Sequence, residues 1–82
     1  MNSIEPLKKI LIKTLHLGLS ASELNAESVL LGGIAELDSM AVVSVIAQIE
    51  EYFGFQIEDD EISGQVFETL GSLSAFVDGK LA

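Results

Sequence analysis

Residues 36–43 read Glu-Leu-Asp-Ser-Met-Ala-Val-Val, so Asp38 and Ser39 set one carboxylate beside one hydroxyl at the head of an apolar, periodic segment. Three roles suit the pair: nucleophile, attachment point, or helix cap. A nucleophilic serine needs a base within hydrogen-bond reach, usually His. The only histidine is His16, far away in sequence, and no Gly-x-Ser-x-Gly elbow surrounds Ser39. So small a chain also leaves little room for a substrate cleft, and no enzymatic activity is expected. As an attachment point, Ser39 stands in the first turn of a predicted helix, exposed after a long loop. The free N–H groups and positive dipole end of that helix favour an anion such as a phosphodiester. Asp38 partly opposes that anion by repulsion, while its side chain caps the helix. On these two residues alone, a cap with no further role fits as well as an attachment point.

Glu58, Asp59, Asp60 and Glu61 form a second cluster. Counted from Asp59 as an EF-hand loop, the sixth position is Gly64, but the third is Glu61, the fifth Ser63 and the twelfth Leu70. The closing bidentate glutamate is missing. Acids at the start of a short helix, complementing its dipole, explain the run better, and no metal site is expected. The chain has no cysteine, which excludes disulfides and thiolate zinc sites and fits a reducing compartment.

The elements that position these residues are helical. With 82 residues, 49% of them hydrophobic, the chain reads as a single domain spanning 1–82 with ample material for a core. Ser3 is the expected cap of a first helix, with Pro6 in its first turn. Ile4, Leu7, Leu11 and Leu15 share one face of it, and Gly18 is placed to end it. Residues 19–37 form a long loop with a short helical turn expected over 21–24, pinned to the core by Leu30, Leu31 and Ile34. Asp38 caps a second helix running to Gly54. Thr69 caps a last helix striped by Leu70, Leu73, Phe76 and Val77, with Gly79 as its expected end. The expected core is Leu7, Leu11, Leu15, Val45, Ile46, Ile49, Phe53, Leu70, Leu73 and Phe76. The second helix is apolar nearly all round. A bundle this small leaves part of it exposed, and we assign Met40 and Val43 to a docking surface and Val42 to the core.

Charge narrows the partners. Thirteen acids against four basic residues give a formal net charge of −9. That field repels nucleic acid and anionic membranes and speeds encounter with basic protein surfaces. No run approaches the length of a membrane span and no apolar stretch follows the N-terminal charges, so a monomeric, cytoplasmic protein is expected.

The chain resembles the acyl carrier proteins. The family's signature, Asp-Ser-Leu or Asp-Ser-Met at the start of the second helix, is matched by Asp38-Ser39-Met40. The likeness continues through Glu50-Glu51-Tyr52-Phe53-Gly54, Ile57 with its following acids, and Thr69-Leu70-Gly71-Ser72-Leu73. It implies an all-α four-helix bundle with a long loop between helices 1 and 2 and a short third helix. It also implies that Ser39 carries covalent 4′-phosphopantetheine, attached from coenzyme A by a carrier protein phosphopantetheinyl transferase. The arm's thiol then holds acyl or aminoacyl groups as thioesters, so a carrier needs no cysteine. Asp38 matches the acid before the serine. Met40, Val43 and Ala47 match apolar partner contacts, and Glu51 an acid that meets basic partners. Those partners include a loading ligase and acyl-transferring enzymes. The family often has Gly where Glu36 stands, and often an acid where Ser44 stands; position 41 is Ala41. These departures make the recognition helix more apolar and point to a dedicated pathway carrier, similar to the discrete carriers of exosortase and exopolysaccharide gene clusters. The alternative is an unmodified carrier-like bundle acting as a protein-interaction module.

Overall fold

The computed structural model describes residues 3–16, 18, 23–30, 32–34, 37–62 and 64–81. Among the described residues three α-helices carry the fold: α1 (Ile4–Leu15), α2 (Ser39–Phe53) and α3 (Leu70–Leu81). The expected short third helix is a single 3-10 turn, Asp59–Glu61. Among the described residues β geometry is confined to one isolated antiparallel bridge, Val29 to Thr69. The architecture is all-α, with its fourth helix reduced to that turn. The start of the turn expected over 21–24 and the expected roles of Leu31 and Glu36 lie outside the described residues.

In α1 the apolar spacing buries Leu7, Ile10, Leu11 and Leu15. Two expectations about its ends are corrected. The left-handed cap falls on His16 (φ 55°, ψ 43°), whose N–H reaches the Ile12 carbonyl, and not on Gly18. A side chain with Cβ is tolerated there because the cap bond closes one of the helix's open carbonyls. Ser3 flanks α1 but makes no side-chain cap. Its buried Oγ lies 3.0 Å from Ser74 Oγ and 3.2 Å from the Ser74 carbonyl, and its N–H donates to Asp78 Oδ1 at 3.1 Å. The hydroxyl therefore ties the chain's start to α3.

The long loop packs by apolar anchors and by backbone pairing. Leu24, Leu30 and Leu37 are buried and Ile34 is half-buried. Leu30 N–H donates to the Glu68 carbonyl, Leu70 N–H to Ser28 and Gly71 N–H to Ala26, at 2.8–3.0 Å. Gly71 permits this approach, since a Cβ there would meet the Ala26 carbonyl oxygen at 2.8 Å. The loop is thus held against the first turn of α3, and its other end delivers the chain to Asp38.

At the start of α3, Thr69 Oγ1 accepts from Ser72 N–H at 3.1 Å, while Ser72 Oγ accepts from Thr69 N–H at 3.0 Å. This is a reciprocal cap with serine in the place of the usual glutamate. Gly79 does not end the helix, which runs on to Leu81 and so brings Lys80 to the 3-10 turn. Helix α1 packs against both α2 and α3. The core differs from expectation at three places: Ile46, Phe53 and Phe76 are only half-buried against it. Ile10, Leu24, Leu30, Leu37, Phe67 and Val77 are buried in addition.

Lys80 Nζ lies 2.7 Å from both Glu61 carboxylate oxygens. That contact, helped by the Glu58 N–H at 2.9 Å, holds the Glu61 carboxyl below its ordinary value. A carboxylate whose folded value is depressed stabilises the fold above the unfolded value, and the contribution fades as pH falls through the depressed one. Lys80→Met should therefore lower the urea midpoint at neutral pH. The gap from the parent protein should close in acid, once Glu61 is protonated. A gap of constant size across that range would show that the ion pair contributes nothing.

Candidate functional site

The site begins where the loop turns into α2. Asp38 is extended (φ −105°, ψ −175°) and its Oδ1 accepts from the Ala41 N–H at 2.8 Å. Its own carbonyl takes the Val42 N–H at 2.9 Å, the first bond of the helix. The cap expected at Asp38 is present, and it fixes the orientation of the residue that follows. Ser39 is exposed, as are Met40 and, further on, Val43, Ser44 and Ala47. Among the described residues the N–H groups of Ser39 and Met40 have no intramolecular acceptor. An anion on Ser39 Oγ would sit beside these two donors at the positive end of a four-turn helix. The residues present therefore fit a phosphodiester. Among the described residues no side-chain base is hydrogen-bonded to Ser39. His16 is exposed at the end of α1.

From Ser39 the exposed side of α2 continues as a stripe. Met40 is 76% exposed and Val43 62%. Ala47 and Glu51 follow at four-residue steps, both exposed. The opposite side buries Val45 and Ile49, with Val42 and Ile46 half-buried. The stripe is apolar over its first turns and acidic at its end, and a helix face of this type suits a groove in another protein. Gly54 closes α2 in the left-handed region (φ 77°). Glu50 turns back to accept the Ile57 N–H at 2.7 Å and so fixes the exit of the chain.

Two exposed apolar residues were not singled out by sequence: Tyr52, 63% exposed, and Val29, 52%. The Tyr52 position could have been found by continuing the exposed phase of α2 from Gln48. Nothing local marks Val29, which pairs with Thr69 in the isolated bridge. Among the described residues no group of three His, Cys, Asp or Glu side chains is placed to hold a metal ion. No helix among them is long and apolar enough to cross a membrane.

Comparison with known proteins agrees with this geometry. A family profile described as "Phosphopantetheine attachment site" matches residues 5–77. The solution NMR structure of a holo acyl carrier protein from Nitrosomonas europaea is similar over 99% of this chain and 98% of its own. The two are 58% identical and superpose with a TM-score of 0.90. Comparison with curated proteins gives no match.

Proposed function

The chain belongs to the acyl carrier protein family, whose members bear a covalent 4′-phosphopantetheine arm, and from that premise we propose that Ser39 is the residue to which the arm is attached. The observation that supports this most directly is the exposed hydroxyl of Ser39 at the first turn of α2, beside two N–H groups that lack acceptors and behind a cap set by Asp38. When bound, the arm supplies a terminal thiol that holds an acyl or aminoacyl group as a thioester. The chain's own residues do the rest. Asp38 keeps the first turn in one conformation. Ser39 Oγ forms the ester with the phosphate, and the Ser39 and Met40 N–H groups are available to it. The chain itself catalyses no step in this reading. It is a single domain working in the cytoplasm with a phosphopantetheinyl transferase, a loading ligase and acyl-transferring enzymes. Coexpression with a broad-specificity transferase tests the assignment. Intact mass should rise by one phosphopantetheine group, located by peptide mapping on Ser39. An unmodified chain would favour the interaction-module alternative.

In the same reading Met40, Val43, Ala47 and Glu51 form the docking face. The apolar members supply affinity and Glu51 steers basic partners. Met40→Ala and Val43→Ala should each cost about 1–2 kcal/mol, roughly tenfold in kcat/KM for arm transfer. Glu51→Lys should mainly slow association, and the loss should shrink as salt is raised. Unchanged rates for both apolar variants would move the docking face elsewhere on the molecule.

A further inference from the structure

We propose that the groove between α1 and α2 receives a carboxylate-bearing, apolar segment of a partner protein, so that partners are selected by an acid as well as by the basic patch that Glu51 attracts. The proposal rests on the carrier reading only in that it makes the groove an extension of the docking face.

The argument starts from the few cations of a chain with net charge −9. Lys80 is engaged by Glu61, and Lys8, whose side chain is 13% exposed, pairs with Glu5 at 3.1 Å. Lys9 and Lys13 remain. Both are exposed and neither has an ion-pair partner among the described residues. Four residues apart, they share one face of α1. That face forms one wall of a groove of about 480 Å³, with Gln48, Glu51 and Tyr52 of α2 on the other side. Pro6 and the buried Ile10 add apolar surface to it. The volume lies in the range of sites that hold a small ligand or a few side chains.

Charge chooses the occupant. Two unpaired ammonium groups over an apolar floor attract a carboxylate flanked by aliphatic or aromatic side chains, with Tyr52 as an exposed aromatic surface beside it. A basic segment is repelled on the α1 side. A second copy of this chain brings another charge of −9 and is opposed by long-range repulsion. Glu51 belongs to both the groove and the stripe that begins at Met40, so the two surfaces are continuous. A partner that places a base at Glu51 and an acid across the groove matches both signs. The α1 and α2 axes of packed helices are roughly 8–10 Å apart, which sets the distance between the two. A uniformly basic partner matches only one and is rejected by α1, which is how like-charge contacts confer specificity.

The test is an NMR titration of the isotopically labelled chain with three probes: the peptide acetyl-Glu-Leu-Phe-Glu-amide, its counterpart acetyl-Lys-Leu-Phe-Lys-amide, and octanoate. The acidic peptide should shift amide signals of residues 9–13 and 48–52 despite the like net charge of the two molecules. Lys9→Glu combined with Lys13→Glu should weaken that binding by roughly tenfold or more, and the milder Lys9→Gln with Lys13→Gln by less. Arm loading at Ser39 should continue in both double variants, since neither lysine lies on the α2 stripe proposed for transferase docking. The proposal is overturned if the acidic peptide leaves these signals unmoved, if the lysine peptide binds there more tightly, or if binding survives the double charge reversal. Octanoate matching the peptide would overturn it too, by making the groove a site for a small carboxylate. Failure of the parent chain to accept the arm would instead defeat the carrier reading and leave the titration to judge the groove.

Discussion

Ser39→Ala is expected to fold like the parent chain and to gain no mass when incubated with coenzyme A and a phosphopantetheinyl transferase. The two halves of this expectation have separate causes. The hydroxyl is exposed and the cap of α2 is made by Asp38 Oδ1, so removing the Ser39 side chain leaves the 2.8 Å bond to Ala41 N–H intact. A surface change of that kind falls within about 0.5 kcal/mol of neutral. Loading, by contrast, should be lost entirely, since in the proposed assignment the phosphate ester is formed by that oxygen. Asp38→Ala provides the contrast. It removes the cap at a cost of about 0.5–2 kcal/mol and loosens the first turn, yet it keeps the nucleophile. It should load slowly and still reach full modification. Mass spectrometry over a time course separates the two variants. Phosphopantetheine found on Ser39→Ala would place the arm on another residue.

The parts of the site that sequence revealed are those set by neighbours in the chain. Asp38 caps because a short acceptor side chain precedes an apolar helix, and Gly54 ends that helix because it adopts φ 77° without a Cβ penalty. The split of α2 into a buried side at Val45 and Ile49 and an exposed side at Met40 and Val43 follows from its period. What sequence misplaced depends on contacts across the fold. Ser3 has the residue type of a cap, but Ser74 and Asp78, more than seventy positions on, claim its hydroxyl and its N–H. Gly79 looks like a stop, but α3 continues past it and Lys80 meets Glu61. Phe67 is buried through packing that no local pattern marks, whereas Ile10, three residues after Leu7, follows the period of α1. The groove at Lys9 and Lys13 exists only because α1 lies beside α2. The two lysines that line it can be read from the sequence, but the surface they form with α2 cannot.

The largest stability losses should fall on residues with no solvent contact and not on Phe53, the aromatic that ends α2. From sequence, Phe53 reads as a core anchor whose truncation to Ala would cost about 3–5 kcal/mol. In the structure Phe53 is half-buried, edge-on to Tyr52 at 4.9 Å and stacked on Phe55 at 6.0 Å between ring centres. Part of its surface is wet in the folded state, and the rings beside it can close over the space that truncation leaves. The loss should therefore fall at or below the lower end of that range. Leu11 and Ile49 are fully buried, on the two helices that pack together, and Leu70 is equally buried where the loop is bonded to α3. Each leaves an enclosed cavity when cut to Ala, so Leu11→Ala, Ile49→Ala and Leu70→Ala should each cost about 2–5 kcal/mol. Native domains are stable by only about 5–15 kcal/mol, and one of 82 residues belongs near the lower end. Any of these three changes then removes a large fraction of the total, and two together should leave no cooperative transition. Urea unfolding followed by circular dichroism gives the comparison, with Phe53→Ala expected at a higher midpoint than the three aliphatic variants. The reverse order would mean that α2 is rotated about its axis, with Phe53 turned into the core. The exposed stripe running from Met40 to Glu51 would then lie on the wrong side of the helix for docking.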